Sequence, residues 1–168
     1  YGNKELSEKQ LCIKHIDANK NILKTGNYKI TNINIQEIKS DLMTVQTSTS
    51  FHVLIAFVFF YNINIYIMHN NGKMFLKFTN DINTTNHVII KDKYKFKIMK
   101  MNVEHHEIEE LTKNKICLEH FNKPIKGAST YKVSDLHNIA RVLNIDNYLT
   151  YKKNELYQLI QLQLIWDV

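Results

Sequence analysis

The sequence predicts an α+β protein in which helices pack on a small antiparallel sheet, followed by a two-helix module at the C-terminus. Two observations predict this class. Apolar residues recur at helical spacing in the first third and at the end of the chain, and β-rich runs occupy its middle. A length of 168 residues with 44% apolar composition is enough to bury one core and to carry a small appendage.

The part before the sheet predicts three helices. Residues 4–16 and 34–43 carry apolar side chains at helical spacing, and Asn34 can cap the second of these helices. Between them, the alternation of residues 28–33 predicts a short strand. Residues 50–61 are apolar nearly all round, so we expect a buried central helix there. Its apolar run is far shorter than the ~20 residues that span a bilayer, so no membrane partner is predicted.

The middle of the chain predicts the sheet. In residues 63–78, two β-rich runs flank Asn71-Gly72, a pair that supplies the positive φ angles of a tight hairpin turn. Residues 87–101 predict one or two more strands, and residues 103–114 predict a further helix.

Three segments follow from this pattern. An α+β domain occupies residues 1–121, and a linker occupies residues 122–130, which hold the only proline and a glycine. Residues 131–168 form the C-terminal module. Because the sequence begins with Tyr1 rather than Met, we expect a processed chain or a piece of a longer protein.

The positive charge is concentrated in one stretch. The net charge is +6 at pH 7, and residues 73–100 hold seven lysines and two aspartates. Alternation along a strand predicts lysines on one face, with Tyr94, Phe96 and Ile98 on the other. These lysines are Lys91, Lys93, Lys95 and Lys97. Such a face can follow a nucleic-acid backbone, or it can belong to an edge strand that is charged against aggregation.

The two cysteines, Cys12 and Cys117, are too few for a disulfide scaffold, and no secretory signal opens the sequence, which predicts an intracellular location. Cys12-x-x-His15 and Cys117-x-x-His120 share one spacing, so together they could ligate zinc. Each half also fits ordinary helical spacing, in which a cysteine is a small apolar residue. Both interpretations stay open, and no cofactor is predicted.

The end of the chain predicts two amphipathic helices, the first of which Ser134 can cap. The apolar stripe of the first helix is Leu136, Ile139, Ala140 and Leu143, and that of the second is Leu156, Leu159, Ile160 and Leu164. Neither stripe can stay buried alone in so short a segment, so the two helices must close on each other. The other residues expected in this small core are Val133, Ile145, Tyr148 and Trp166.

The segments YKVSDLHNIARVLNI (131–145) and YKKNELYQLI (151–160) resemble the SAP family, a helix–extended loop–helix module typical of chromatin, DNA-repair and viral DNA-associated proteins. The resemblance lies in the apolar positions of the first segment and in the lysine pair, acidic residue and leucine of the second. The glycine that the family has after its first helix is Asn144 here, which can adopt the same left-handed conformation. The glycine before the lysine pair is replaced by Thr150 or Tyr151.

The resemblance implies contact with duplex DNA through helix N-termini, loop amides and basic side chains, with little reading of bases. The contact residues that it implies are Ser129, Thr130, Lys132, Arg141, Lys152, Lys153 and Asn154. Residues 131–168 hold four basic and four acidic groups, which sum to zero. We therefore expect weak affinity from this module alone, because nonspecific DNA binding depends on clustered cations.

These features predict a non-enzymatic, DNA-associated protein. With its abundant Asn, Ile, Lys and Tyr, the chain is similar to proteins of large nucleocytoplasmic DNA viruses, which implies a role in genome packaging, transcription or virion assembly in the nucleus, a viral factory or a virion. A competing interpretation is a structural or assembly protein of a virion or transcription complex that binds only protein partners. A third is an enzyme whose catalytic residues lie outside this sequence, since no familiar catalytic motif occurs within it.

Overall fold

The computed structural model describes residues 2–25, 28–44, 49–80, 85–92 and 95–166. Over these ranges the chain has seven α-helices, one 3-10 turn and one five-stranded sheet, which confirms the predicted α+β class. The helices are α1 Gly2–Ala18, α2 Lys20–Thr25, α3 Asn32–Met43, α4 Phe51–Tyr61, α5 His105–Thr112, α6 Val133–Leu143 and α7 Lys153–Gln163. The strands are β1 Asn64–His69, β2 Met74–Phe78, β3 Asn86–Asp92, β4 Lys95–Val103 and β5 Ile116–Cys117, and the 3-10 turn is Ala128–Thr130.

Helix α3 begins earlier than predicted. Its N-cap is Thr31, whose Oγ1 accepts the N–H of Asn34 at 3.2 Å, while the N–H of Thr31 donates to Asn34 Oδ1 at 3.0 Å. This reciprocal capping box makes Asn34 the third residue of the helix rather than its cap. The strand predicted over residues 28–33 is wrong, because Lys29 takes a positive φ of 49° and Thr31 already belongs to the helix start.

Helix α4 is the buried centre of the molecule. At its start, Ser50 Oγ accepts the N–H of Val53 at 3.3 Å, and Asn62 ends it in the left-handed conformation with a φ of 53°. The helix contacts α1 and α3 on one side and β1 and β2 on the other. Its apolar residues are therefore buried on most sides, as predicted. Among the residues that the structure describes, no helix combines the length and the apolar character needed to cross a membrane.

The strand order in the sheet is β4-β3-β1-β2-β5. Strands β1 and β2 pair antiparallel, as do β3 and β4, whereas β1/β3 and β2/β5 pair parallel. The sheet is therefore mixed rather than antiparallel throughout. The reason is that β3 runs opposite to the preceding β2 but lies on the far side of β1, so β1 and β3 share one direction.

Two buried asparagines connect three strands at one end of the sheet. Asn64 Nδ2 donates to Asn86 Oδ1 at 3.1 Å, and Asn86 Nδ2 donates to the carbonyl of Val103 at 3.0 Å. Asn64 Oδ1 also accepts the N–H of Asn80 at 2.8 Å. Because a buried amide without partners destabilises a fold, these bonds favour the register that brings β1, β3 and β4 together here.

The predicted hairpin is present between β1 and β2, with four residues linking the strands. The N–H of Gly72 donates to the carbonyl of His69 at 3.0 Å, which closes the turn. Gly72 takes a φ of +71°, whereas Asn71 is not in the left-handed region. The glycine therefore supplies the one positive φ that this turn needs, and Asn71 instead accepts the N–H of Lys73 through its side chain at 2.9 Å.

The sheet buries apolar residues on both faces. One face, the α4 face, includes Ile67 and its cross-strand partner Leu76, and its core continues into α1, α3 and α4. The opposite face, the α5 face, includes Met68 and Phe75 and is covered by Ile108 of α5.

The C-terminal helices pack on the first part of the chain at an aromatic junction. The ring of Trp166, which is 2% exposed, lies edge-on to Phe51 at 5.7 Å and to His69 at 5.0 Å between centroids. From the hairpin, Lys73 Nζ donates at 2.6 Å to the carbonyl of Leu143 at the C-terminus of α6, where the helix dipole favours a cation. The helical pair and the sheet therefore share one apolar core.

Replacing Trp166 by alanine is expected to lower the free energy of unfolding by about 3 kcal/mol or more, because the junction loses its largest side chain. Circular dichroism during urea unfolding measures this loss, since Trp166 is the only tryptophan. Ile165→Ala is the matched control, because Ile165 is 55% exposed, and its expected change is within about 0.5 kcal/mol. Equal losses of unfolding free energy for the two variants contradict the role of Trp166 at the junction.

Three partly buried histidines make stability depend on pH. Burial lowers the pKa of His52, His87 and His120 below the usual 6.5, and proximity to His52 lowers that of His120 further. The unfolded chain therefore binds protons at these histidines as the pH falls through 6.5, before the folded chain does. These histidines contribute their full stabilisation above pH 6.5. The contribution decreases as the pH falls from 6.5 to their lowered pKa values in the folded chain.

Lowering the pH from about 7.5 to 5.5 is expected to shift urea unfolding to lower denaturant concentrations. His52→Gln with His120→Gln should flatten this dependence, because the double variant removes two of the three titrations. His105→Gln is the control, since the His105 side chain is 80% exposed. A wild-type midpoint that does not change over this pH range contradicts the prediction.

Candidate nucleic-acid interface

Helices α6 and α7 begin at the same end of the C-terminal module. The segment between them returns along α6, because the ring of Tyr148 lies 5.6 Å from that of His137. Helix α7 then packs against the 3-10 turn that precedes α6, and Tyr157 Oη donates to the carbonyl of Lys126 at 2.9 Å. This arrangement brings the two helix N-termini to one side of the module.

The predicted apolar stripes close on each other. The buried residues are Leu136, Ala140 and Leu143 of α6 and Leu156, Ile160 and Leu164 in and after α7. Ile145 and Tyr148 pack against the same core, and Trp166 extends it to the sheet. Val133 does not join them and is 45% exposed.

Each helix start carries a carboxylate. The N–H of Lys132, the N-cap of α6, donates to Asp135 Oδ2 at 2.7 Å, and the N–H of Lys152, the N-cap of α7, donates to Glu155 Oε2 at 3.1 Å. The predicted cap Ser134 is wrong, because Ser134 lies inside the helix. These carboxylates stabilise the helices but reduce the attraction of their N-termini for a phosphate.

The loop after α6 has the backbone that its sequence allows. Asn144 takes a φ of 59° and a ψ of 44°, which confirms the left-handed conformation expected there. Its N–H donates to the carbonyl of Arg141 at 3.1 Å, and the N–H of Ile145 donates to that of Ala140 at 2.9 Å. These bonds end α6 and direct the chain back toward the N-termini.

Six of the seven module residues expected to contact DNA lie at or next to the shared end. The exposed ones are Ser129, Thr130, Lys132, Lys152 and Asn154, and Lys153 is half-buried. Arg141 lies apart from them in the last turn of α6, roughly 13 Å along the helix from its start. Its guanidinium donates to Asn138 Oδ1 at 3.3 Å.

Lys126 is a member of this end that sequence reasoning assigned to the linker. Its carbonyl accepts from Tyr157 of α7, and its N–H donates to Tyr131 Oη at 3.1 Å, just before α6. Its side chain is 57% exposed, with Nζ 3.6 Å from Glu119 Oε1. Residues 122–130 also hold Lys123 and no acidic residue, so they add +2 beside a module whose charges sum to zero.

The predicted lysine strand does not form one face. Lys91 lies in β3, where it pairs with Phe96 of β4, and its Nζ is 5.8 Å from the Phe51 ring on the α4 face. Lys95 and Lys97 alternate with Phe96 along β4 and lie on the α5 face. The prediction that these lysines share one face is wrong because the chain reverses direction between β3 and β4. The predicted Lys93 and Tyr94 lie outside the described residues.

The remaining lysines of this stretch have different surroundings. Lys77 belongs to β2 and shares the α5 face with Lys95 and Lys97. Lys100 forms an ion pair with Glu107 of α5. Three lysines of this stretch, Lys77, Lys95 and Lys97, thus share the α5 face rather than one strand.

The zinc hypothesis does not fit the fold. Cys12 is fully buried in the core on the α4 face, and burial raises its pKa to about 11. Cys117 of β5 pairs with Phe75 on the α5 face, so the sheet lies between the two thiols. The rings of His15 and His120 pack against phenylalanines. Across the described ranges, no group of three His, Cys, Asp or Glu side chains is placed to hold a metal ion.

Asn144→Val is expected to lower the free energy of unfolding by about 1–2 kcal/mol, because a β-branched residue is strained at positive φ. Asn144→Gly should leave stability within about 0.5 kcal/mol of the wild type, because glycine adopts this conformation without strain. Urea unfolding of both variants measures the difference. Equal stability of the two variants contradicts the left-handed loop.

No family model, no curated protein and no solved structure matches this chain. The function of the interface therefore has to follow from its own residues, charges and geometry.

Proposed function

We propose that this chain is a non-enzymatic, DNA-associated protein that binds the duplex backbone weakly and without base specificity. The observation that carries the proposal is the convergence of two helix N-termini and four lysines at one exposed end of the C-terminal module. The lysines are Lys126, Lys132, Lys152 and Lys153.

The chemistry of this end suits phosphate oxygens. Amide groups at a helix start carry partial positive charge, and two such starts side by side can contact neighbouring phosphates of one strand. Each lysine that neutralises a phosphate releases a condensed counterion, which is the main source of nonspecific affinity. Because amides and lysines contact the backbone alone, no base sequence is read.

The expected affinity is low. Asp135 and Glu155 hold negative charge at the two helix starts, and the net positive charge of the module with its preceding loop is small. The α5 face, with Lys77, Lys95 and Lys97, is a second surface that carries exposed lysines, beside Glu107, Glu109 and Glu110 of α5. A duplex that contacts both surfaces would be bound more tightly than either surface alone allows.

The biological setting is also a proposal. The resemblance to SAP modules and the abundance of Asn, Ile, Lys and Tyr, which AT-rich genomes favour, support a protein of a large DNA virus, located in the nucleus, a viral factory or a virion. Genome packaging, transcription and virion assembly are the processes that bring such a module to DNA.

A second candidate function is that of an assembly protein that binds only protein partners. The observation that favours it is the apolar surface beside the lysines, where Leu149 is 68%, Val133 45% and Tyr151 38% exposed. Apolar side chains next to charged ones are typical of a protein contact, and the carboxylates of Asp135 and Glu155 weaken the case for phosphate.

Charge reversal at Lys152 and Lys153 separates the two candidates. Fluorescence anisotropy with a labelled duplex is expected to show affinity that decreases steeply between about 50 and 200 mM salt. Lys152→Glu with Lys153→Glu should weaken binding by about tenfold or more at low salt and reduce the salt slope by about two, because two phosphate contacts are lost.

Lys14→Glu with Lys24→Glu is the matched control. It changes the net charge equally, but these exposed lysines lie on α1 and α2. Equal weakening by both double variants shows that overall charge, not the module, attracts DNA. No binding by the wild type at about 50 mM salt contradicts DNA association and favours the assembly protein.

A further inference from the structure

Two tight turns that border the aromatic junction are closed on the ring of a histidine. In the hairpin between β1 and β2, His69 Nδ1 accepts the N–H of Asn71 at 3.1 Å. In the turn after β5, His120 Nδ1 accepts the N–H of Asn122 at 3.1 Å. An imidazole nitrogen accepts a hydrogen bond only while it carries no proton. Both turns therefore require the neutral form of their histidine.

Both histidines also pack against the aromatic rings of the junction. The His69 ring lies edge-on to that of Trp166 at 5.0 Å between centroids, and the His120 ring stacks on that of Phe121 at 4.0 Å. Phe121 and Trp166 in turn contact the Phe51 ring, at 4.8 and 5.7 Å. An imidazole that turns away from its backbone N–H therefore also leaves the rings that hold the helical pair on the sheet.

The first turn has lysines as charged neighbours. Lys91 of β3 lies beside His69 in the parallel register of β1 and β3. Lys73 follows the turn, and its Nζ donates to the carbonyl of Leu143 at 2.6 Å. A proton on His69 would therefore add positive charge beside a lysine, which disfavours the protonated ring in the closed junction.

The second turn has another imidazole as its neighbour. The His52 ring of α4 lies edge-on to Phe121 at 5.3 Å, against the ring on which His120 stacks. Glu37 and Asp41 of α3 face His52, with Glu37 Oε2 3.8 Å from His52 Nδ1, and favour a proton there. Burial and the proximity of His52 lower the pKa of His120. Protonation of both rings brings two cations together at the junction.

We propose that the aromatic junction is a pH-sensitive switch, which holds the C-terminal helical pair on the sheet while His69 and His120 are neutral and releases it when they are protonated. The residues that the two helices bury against each other are apolar, so the pair keeps its own core when the junction opens. Acid is therefore expected to open the junction locally, below about pH 6.5, before the chain unfolds as a whole. The switch acts on the docking of the pair and does not rest on DNA binding.

Trp166 reports on this junction directly, because it is the only tryptophan and is 2% exposed. Between about pH 7.5 and 5, without denaturant, its emission should shift to longer wavelength and its quenching by acrylamide should increase by about twofold or more. Far-UV circular dichroism should stay unchanged, because the helices and strands remain. Constant emission and quenching down to about pH 5 overturn the proposal. A simultaneous loss of the dichroism signal overturns it as well, since the whole chain then unfolds.

Asparagine can replace the two histidines without their titration. Its Oδ1 accepts the backbone N–H two residues later, as in an Asx-turn, and takes up no proton. His69→Asn with His120→Asn should therefore keep Trp166 protected at about pH 5. His105→Asn with His106→Asn is the matched control, because both histidines are exposed on α5, and it should open like the wild type. Equal opening of the two double variants overturns the switch.

The single variants provide the same test with less change to the junction. His69→Asn and His120→Asn each leave one turn titratable, so each should move the opening of the junction to lower pH than in the wild type. Two single variants that both open at the wild-type pH overturn the proposal, even where the double variant does not fold. No DNA is present in these measurements, so the switch and the proposed function can fail separately.

Discussion

The rest of the structure depends on the packing of the Phe51 ring. It stacks on Phe121 at 4.8 Å and lies edge-on to Phe78 of β2, Phe96 of β4 and Trp166 beyond α7. Such pairs add ~0.5–1.5 kcal/mol each beyond the area they bury. One side chain at the start of the central helix therefore joins the sheet, the segment after β5 and the C-terminal helices. The serine cap of α4 fixes where that helix begins, and so where the ring lies.

Local patterns predicted the elements whose sequence signals are local. Helices α6 and α7 follow from their apolar stripes, and the left-handed Asn144 follows from the ability of asparagine to adopt that conformation. The prediction was wrong where two local patterns competed. Residues 28–33 alternate like a strand, but the hydrogen bonds between Thr31 and Asn34 favour a helix start. The faces predicted for Lys95, Lys97, Phe96 and Ile98 of β4 are confirmed, but Lys91 of β3 lies on the face opposite to the two lysines, because alternation does not reveal where a chain reverses.

The sequence predicted the lysine pair of the candidate interface, but it did not predict that Lys126 and the two helix starts come together. Lys126 joins the helix starts only through bonds with Tyr131 and Tyr157, which no sequence spacing encodes. The carboxylates at both helix starts did have a signal, because an acidic residue three positions after the N-cap is typical of a capping box. Helix capping and phosphate binding use the same amides, so the features that make α6 and α7 stable also limit their attraction for DNA.

The burial of Cys12 has a consequence for oxidative chemistry. Its thiol lies in the core beneath α1 and loses its proton only at high pH, so the reactive thiolate is scarce and peroxide cannot reach it. Partial burial also raises the pKa of Cys117, but this thiol is exposed on β5, so oxidants reach it first. Sulfenic acid would therefore form at the sheet while α1 stays in place, and damage at Cys12 would mark molecules in which the N-terminal helix had separated.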